Sequence, residues 1–313
     1  MNAKGRAAFL FPGQLSEWVG MGKDFLEHDP AAADLCAFTS RRCGRDLRRL
    51  MLGGPEADLR ENLAAQAAVF MLSTLAARAL EERGVAASAT AGYSLGNYAA
   101  MVACGAISYE EALEVLVAVW EATERLGIRG AMGAVIGARR EAVDAELEAL
   151  RAGGRSVWIG NVNASTQFVL TGTREGVGAA LETLRPKSLS VLPLTMSWPI
   201  HSMLMEPVAR AIAPLVASLE SIRDPRVPYY GPEGRAVGGG EDVRRLLGTA
   251  FCHPTLWKET FESMVAADHR LFLEVGPGEL LTKMVRWIDR STRCVPAGTR
   301  AAIDAAADIV AAG

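Results

Sequence analysis

The sequence is poor in the residue types that build metal and disulfide sites. It has four histidines and five cysteines in 313 residues, and no two cysteines form a Cys-x-x-Cys pair. The cysteines are Cys36, Cys43, Cys104, Cys252 and Cys294. Because this set is odd in number and widely spaced, it argues against a disulfide framework or a zinc site. We therefore expect reduced thiols, no metal cofactor and a cytoplasmic protein.

The chain also lacks a dominant charge and an obvious membrane segment. It has 33 lysines and arginines and 36 aspartates and glutamates, which gives a formal net charge of -3. Without a global basic field, binding of a nucleic-acid backbone is not expected as a main task. Residues 1–6 have no signal-peptide character, and no apolar stretch is judged long enough to span a bilayer. We therefore predict no membrane partner.

What the sequence does have is an alternation of short apolar runs with helical patterns, which is typical of α/β proteins. Buried strands are predicted over 7–11 and 87–91. From 131 to 194 the predicted order is β-α-β-β-α-β, the arrangement of a ferredoxin-like unit. Residues 225–240, rich in glycine and proline, are predicted to be irregular. The predicted domains are a large α/β domain formed by 1–128 and 197–313, and an inserted subdomain of 129–196.

The first candidate for chemistry is a serine between two glycines. Gly92-Tyr93-Ser94-Leu95-Gly96 is a Gly-x-Ser-x-Gly sequence with a predicted strand before it and a predicted helix after it. The glycines permit a tight turn that lifts the serine hydroxyl out of the backbone. The following helix N-terminus offers N–H groups to an oxyanion. The context predicts a nucleophile, and a plain glycine-rich turn is the alternative.

A serine hydroxyl needs a base, and the histidines provide few choices. They are His28, His201, His253 and His269. His201 follows the last strand of the ferredoxin-like unit, where the chain returns to the large domain and an edge of a cleft is expected. The sequence Phe-Pro-Gly-Gln ends the first predicted strand, and Gly13 would let the N–H of Gln14 point into a site at the strand end.

Five segments of the chain, spread over most of its length, form a recognisable set. They are FPGQ at 11–14, Gln66 in AQAAVF at 65–70, GYSLG at 92–96, NVNASTQ at 161–167 and EVGPG at 274–278. Together they resemble the malonyl-CoA:acyl-carrier-protein transacylase family, which includes the acyltransferases of polyketide synthases. The resemblance implies a large hydrolase-like α/β domain with a parallel sheet and an inserted ferredoxin-like subdomain.

The same resemblance assigns roles to residues. It implies that Ser94 carries the acyl group and that His201 is the general base and then the general acid. It also implies that the backbone amides of Gln14 and Leu95 form the oxyanion hole. Gln66 is either pocket wall or a structural hydrogen-bond partner. No bound cofactor is implied, because the substrates are acyl thioesters of coenzyme A or of the phosphopantetheine of an acyl carrier protein.

The chain departs from the family around the acyl pocket. Malonyl-type members bind the substrate carboxylate with an arginine in a Leu-Val-x-x-Arg context, and we assign Trp120 of LVAVW to that position. Tyr93 replaces the family's elbow histidine. Trp198 and Ile200 belong to the tetrapeptide that ends at His201 and marks specificity in polyketide synthases. We expect these side chains to line an apolar pocket, in which a malonyl carboxylate has no bidentate partner.

The expected function is therefore transfer of a non-malonyl acyl group between thioester carriers in polyketide-type biosynthesis. Aminoacyl, dipeptidyl and other neutral monocarboxylic groups fit this expectation. Two alternatives stay open, an acyl-thioester hydrolase on the same fold and an ordinary malonyl-CoA:acyl-carrier-protein transacylase.

The expected partner is an acyl carrier protein, with coenzyme A as a further substrate carrier. Carrier proteins are acidic, so a basic surface is expected at the mouth of the site. The densest basic cluster is Arg41, Arg42, Arg45, Arg48 and Arg49. It is either a docking surface or a solvated helix face.

Overall fold

The computed structural model describes residues 5–312. Its strands are β1 (Gly5–Phe11), β2 (Val85–Gly92), β3 (Ala131–Ile136), β4 (Val157–Ala164), β5 (Gln167–Gly172), β6 (Ser190–Leu194), β7 (Tyr229–Tyr230), β8 (Leu271–Glu274) and β9 (Arg293–Pro296). Its helices are α1 (Lys23–Leu26), α2 (Pro30–Cys43), α3 (Leu47–Gly53), α4 (Glu56–Leu59), α5 (Asn62–Glu82), α6 (Gly96–Ala103), α7 (Tyr109–Arg125), α8 (Arg140–Ala152), α9 (Arg174–Leu184), α10 (Glu206–Ser218), α11 (Gly240–Thr249), α12 (Trp257–Ala266), α13 (Leu280–Val285) and α14 (Arg300–Ala312). Short 3-10 turns lie at Arg185–Lys187, Met203–Met205 and Ala250–Cys252.

The larger sheet is parallel and has the strand order β7-β2-β1-β8-β9. In its centre β1 pairs with β2 in a register that sets Phe11 opposite Gly92. The carboxyl ends of both strands therefore meet at one edge of the sheet, where ligands of parallel sheets bind. This edge carries the FPGQ loop and Ser94, and the α/β fold class predicted from the sequence is confirmed.

The smaller sheet is antiparallel and has the order β4-β5-β3-β6. Helices α8 and α9 pack on one face through a separate apolar cluster that includes Val135, Val143, Phe168 and Leu181. The chain order with two helices between these strands is the ferredoxin-like arrangement. The division of the chain at 128/129 and 196/197 stays a prediction.

Two sequence-based expectations about this framework are wrong. Residues 225–240 contain a strand, β7, whose two tyrosines pair with Thr90 and Ala91 of β2. A strand of two residues leaves no periodicity in the sequence, which is why it was missed. In addition, Asn62–Glu82 is long and apolar enough, by length and composition, to cross a bilayer. It is a core helix, because 89% of its most apolar window is buried inside the protein.

Candidate active site

The turn after β2 holds Ser94 in a strained backbone conformation. Its φ angle is 52°, in the left-handed region that non-glycine residues seldom occupy. Glycines flank the turn because there is no room for a side chain: a Cβ on Gly92 would collide with the backbone of Asn97, and one on Gly96 with the carbonyl of Phe11. The local sequence thus produces the strand-turn-helix geometry in which a serine hydroxyl stands clear of its own backbone.

His201 contacts the serine directly. Its Nε2 lies 2.7 Å from Ser94 Oγ, and its Nδ1 lies 3.0 Å from the carbonyl oxygen of His253. Because a carbonyl only accepts, Nδ1 carries the proton and Nε2 is free to accept one from the serine. The His201 backbone also has positive φ, 66°, and its N–H donates to the carbonyl of Phe251 at 2.7 Å. Backbone groups therefore hold the imidazole in place without a carboxylate.

Burial sets the protonation state of this imidazole. His201 is 4% exposed, and burial lowers its pKa from 6.5 to about 4. The carbonyls of His253 and Ala250 oppose the shift without cancelling it. The group is neutral at pH 7, which is the state that a general base must have before it takes a proton.

Two backbone amides near Ser94 are left without acceptors. Among the described residues, neither the N–H of Gln14 nor that of Leu95 donates to a backbone or side-chain oxygen. The Gln14 side chain is fixed instead by a chain of amide bonds. Gln66 Nε2 donates to Gln14 Oε1 at 3.0 Å, and Gln14 Nε2 donates to Asn62 Oδ1 at 3.1 Å. These hydrogen bonds hold the FPGQ loop in place. The N–H groups of Gln14 and Leu95 remain available to an oxyanion.

A cavity of about 110 Å³ extends from the Ser94–His201 pair and is lined by the smaller sheet on one side and by α6, α7 and α11 on the other. Apolar side chains form most of its wall, among them Met101, Val119, Met132, Val169, Leu246 and Leu247. No lysine, arginine, aspartate or glutamate lines it in the described part of the chain. With His201 neutral, the cavity carries no formal charge.

Three of the pocket residues expected from the sequence lie on this wall. Gln66, Tyr93 and Ile200 all line the cavity. Tyr93 is held by a hydrogen bond from its hydroxyl to Asn163 Oδ1 at 3.0 Å and by an edge contact with Trp257. Burial raises the pKa of Tyr93 to about 12, so its hydroxyl stays neutral.

The two tryptophans expected in the pocket do not lie on the cavity wall. Trp198 is fully buried, and its Nε1 donates to Glu124 Oε1 at 3.1 Å. Trp120 faces another side of α7, where the guanidinium of Arg45 lies 5.8 Å from its ring centroid. Since one residue turns a helix by about 100°, a helix that presents Val119 to the cavity points Trp120 away from it. For these two residues the predicted role as pocket wall is corrected.

Of the cavity residues that the sequence analysis did not predict, three bear most directly on the acyl group. Val119 is the part of α7 that lines it, and Tyr98 and Asn161 contribute polar groups. The phase of α7 was ambiguous because most of its circumference is buried, so its apolar pattern does not single out one face. Asn161 belongs to a recognised motif, but its place beside the cavity depends on how β4 crosses toward the larger sheet.

A wider cleft of about 720 Å³ adjoins the cavity and shares Met132, Leu194 and Met196 with it. Both charge signs line this cleft. Arg129 lies in the cleft and pairs with Glu124 at 2.7 Å. Over residues 5–312, no cluster of three histidine, cysteine or acidic side chains is arranged to hold a metal ion.

Known proteins are similar to this chain over almost its whole length. Residues 8–301 match the family described as acyl transferase domain. The chain belongs to this family. The acyltransferase is 30% identical over 294 residues to a malonyl CoA-acyl carrier protein transacylase of Bacillus subtilis (strain 168), covering 93% of this chain and 92% of that one.

Two further relatives have names that refer to polyketide synthesis. It is 31% identical over 283 residues to the polyketide biosynthesis protein ThaF of Burkholderia thailandensis, covering 90% of this chain and 24% of that longer protein. A solved structure of a malonyl-transacylase in complex with a type II polyketide synthase acyl-carrier protein superposes with a TM-score of 0.91. That alignment has 29% identity and covers 97% of this chain and 99% of the other.

Proposed function

We propose that this acyltransferase moves a neutral acyl group between thioester carriers through an acyl-Ser94 intermediate. The observation that carries the proposal is the 2.7 Å contact between Ser94 Oγ and His201 Nε2 at the end of a cavity without charged side chains. The fold and the hydrogen-bonded pair support acyl transfer, and the cavity wall supports the choice of acyl group.

The chemistry follows from the positions of these groups. As Ser94 Oγ attacks the thioester carbonyl, His201 Nε2 takes the hydroxyl proton. The N–H groups of Gln14 and Leu95 stabilise the negative oxygen of the tetrahedral intermediate. The C–S bond then breaks, the thiol leaves with the proton from His201, and the acyl group remains on Ser94. The acceptor thiol reverses these steps.

The neutral wall argues for the type of acyl group. A carboxylate brought beside Val119 would lose its water without gaining a counter-charge, and leaving an anion buried and unpaired costs several kcal/mol. A neutral chain avoids that cost and covers apolar surface at roughly 25 cal/mol per Å². Transfer of malonyl is the second candidate, and the names of the relatives favour it.

Polar groups in the cavity refine the proposal. Asn161 is 3% exposed, yet its side-chain amide has no hydrogen-bond partner among the described residues. The hydroxyl of Tyr98 is likewise without a partner in residues 5–312, and burial raises its pKa well above the ordinary value. Unpaired neutral donors and acceptors match an acyl chain that carries an amide, amine or hydroxyl, such as an aminoacyl or dipeptidyl group, better than a plain alkyl chain.

The carriers are proposed from the relatives. Their names mention coenzyme A and acyl carrier protein, and one relative acts in polyketide biosynthesis. We assign this chain the same carriers and the same type of pathway, without a bound cofactor, in the cytoplasm. Hydrolysis of the acyl enzyme is the alternative outcome, and it is recognised by free acid released in the absence of an acceptor thiol.

A pair of adjacent substitutions on α7 tests the choice of acyl group. Val119→Arg introduces a cation at the cavity wall, whereas Trp120→Arg introduces one on another side of the helix. The ratio of malonyl to neutral acylation rates should rise by about tenfold or more in Val119→Arg and change little in Trp120→Arg. The rates are measured with matched malonyl and neutral thioesters of N-acetylcysteamine.

Wild-type protein that loads malonyl faster than the matched neutral group would contradict the proposed acyl group. An unchanged ratio in Val119→Arg, with the protein still folded, would mean that this position does not meet the acyl chain.

A further inference from the structure

The carbonyl group of Ser94 accepts two hydrogen bonds, one of them from a side chain. The backbone N–H of Asn97 donates to this oxygen at 3.1 Å, as in an ordinary tight turn. The side chain of the same residue adds a second donor, because Asn97 Nδ2 lies 2.9 Å from the Ser94 carbonyl oxygen. A carbonyl oxygen has two lone pairs, and both are now used. The amide of Asn97 therefore completes the hydrogen bonding of the turn that carries the nucleophile.

A buried tyrosine fixes the orientation of this amide. Tyr229 is 0% exposed, and its hydroxyl oxygen lies 2.7 Å from Asn97 Oδ1. Because the Ser94 carbonyl only accepts, the amide nitrogen must face it, and the amide oxygen then faces Tyr229. Burial raises the pKa of Tyr229 well above its ordinary value, so the hydroxyl keeps the proton that it donates. The donors thus run in one direction, from Tyr229 through Asn97 to Ser94.

Strand β7 brings the tyrosine to this place from outside the acyl cavity. Tyr229 pairs with Thr90 of β2, shortly before the turn. Asn97 lies on the cavity wall and is 4% exposed, whereas neither residue of β7 lines the cavity in the part of the chain that the structure describes. The contact of Tyr229 with the turn is therefore made through the amide of Asn97.

These hydrogen bonds act on the peptide group that offers an N–H to the oxyanion. The Ser94 carbonyl and the Leu95 N–H belong to one planar peptide group, so fixing the direction of one fixes that of the other. Ser94 has a φ of 52°, a conformation that persists only where surrounding contacts hold it. Hydrogen bonds to the carbonyl also polarise the peptide group, which makes its N–H a stronger donor.

We propose that Asn97 and Tyr229 are positioning residues of the oxyanion hole, which hold the Ser94–Leu95 peptide group so that its N–H points at the thioester carbonyl oxygen. The inference rests on the proposed function, because it takes the Leu95 N–H as a donor to the oxyanion. It does not depend on the acyl group, since every thioester presents the same carbonyl. Action on the peptide group is thereby distinguished from contact between Asn97 and the acyl chain.

The test compares Asn97→Ala, Tyr229→Phe and the double variant. Single-turnover acylation of Ser94 is measured with acetyl, butyryl and hexanoyl thioesters of N-acetylcysteamine. In Asn97→Ala we expect the maximal rate to fall about tenfold or more, by the same factor for all three thioesters, with the half-saturating concentration unchanged. Tyr229→Phe should lose less. The double variant should lose no more than Asn97→Ala, because the hydroxyl acts through the amide.

A conservative variant separates hydrogen-bond donation from shape. Asn97→Asp keeps the shape of the side chain, but it donates to the Ser94 carbonyl only when its carboxyl group is protonated. Burial raises the pKa of a carboxyl group. The acylation rate of Asn97→Asp should therefore rise as the pH falls and the carboxyl gains its proton. The wild-type rate should stay level there, because the pKa of His201 is lowered to about 4.

The carbonyl of the acyl enzyme gives a spectroscopic readout. With a ¹³C-labelled acyl group on Ser94, the infrared stretch of the ester carbonyl should move to higher frequency in Asn97→Ala and Tyr229→Phe, since a misdirected N–H polarises it less. The matched control is Tyr109→Phe, which removes another buried hydroxyl, one that lies 2.7 Å from Thr39 Oγ1. This control should match the wild type in both rate and frequency.

Unchanged rate and frequency in Asn97→Ala and Tyr229→Phe overturn the proposal. A loss in Asn97→Ala that varies with acyl-chain length also overturns it, because that result indicates contact with the acyl group. If Tyr229→Phe does not fold, the two single variants of Asn97 decide. Wild-type protein that loads no acyl group on Ser94 refutes the proposed function and this inference with it, whereas normal loading by both the wild type and the variants refutes the inference alone.

Discussion

The catalytic pair and the acyl cavity are built in different ways. Backbone groups position the pair: both Ser94 and His201 have positive φ, and the carbonyl of His253 fixes the imidazole. Side chains from the smaller sheet and from helices α5, α6, α7 and α11 form most of the cavity wall. A catalytic pair positioned by backbone groups keeps the same geometry when other side chains change. The shape and polarity of a cavity wall, in contrast, change with each lining side chain and with the rotation of each helix about its axis. Reaction type and acyl selectivity therefore depend on separate parts of the molecule.

The largest effect should come from removing the nucleophile. Ser94→Ala deletes the only atom proposed to carry the acyl group, so the mass increment of the acyl enzyme should disappear while the fold is retained. Intact-protein mass spectrometry after incubation with acyl thioesters measures this. Acyl loading that persists in Ser94→Ala would show that Ser94 is not the nucleophile.

Next in size is loss of the base. His201→Ala should lower the acylation rate by about two to four orders of magnitude. His253→Ala is the matched control, since its carbonyl orients His201 and its exposed side chain is not used. Single-turnover rates measure both. A large loss in His253→Ala alone would mean that the base is misassigned.

A pair of glycine-to-alanine substitutions compares the crowded turn at Ser94 with an uncrowded position in a helix. Gly96→Ala places a Cβ against the carbonyl of Phe11 and should destabilise the protein by at least about 2 kcal/mol. Gly178 lies within α9 with open space around its Cβ position, so Gly178→Ala should stabilise by up to about 1 kcal/mol. Thermal unfolding measures the change in stability of each variant. Changes of the same sign in both variants would contradict the steric explanation for Gly96.

The smallest effect is a displacement of the pH profile. Because burial lowers the pKa of His201 to about 4, the neutral base persists well below pH 6.5. Acylation from a neutral thioester should therefore stay level as pH falls and halve only near pH 4. The free energy of unfolding should decrease as the pH falls from about 6.5 to about 4. In that range the histidine is protonated in the unfolded chain and neutral in the folded protein. A half-point near 6.5 would mean an exposed, ordinary imidazole.

The sequence was sufficient where local constraints decide the structure. The glycines at 92 and 96 predicted the elbow because no other residue fits between β2, α6 and the carbonyl of Phe11. Alternating elements over 131–194 predicted the ferredoxin-like unit because each helix and strand there has its own apolar pattern. His201 came from the family resemblance and the small number of histidines.

The sequence was insufficient where long-range packing decides. Trp120 and Val119 are neighbours on a helix buried around most of its surface, so the apolar pattern could not say which one meets the cavity. Trp198 is apolar and close to His201 in sequence, yet its indole turns to Glu124. That the side-chain amide of Asn161 has no partner can be recognised only from the folded structure, in which the surrounding side chains bond elsewhere. These are contacts between distant segments, which no local pattern encodes.

One competition measurement tests the central claim most directly. Wild-type protein is mixed with equimolar malonyl and size-matched neutral acyl thioesters of N-acetylcysteamine, and the mass of the adduct on Ser94 is read at early times. A cavity without a cation predicts that the neutral adduct predominates by about tenfold or more. A predominant malonyl adduct would contradict this account and identify the chain as a malonyl transferase.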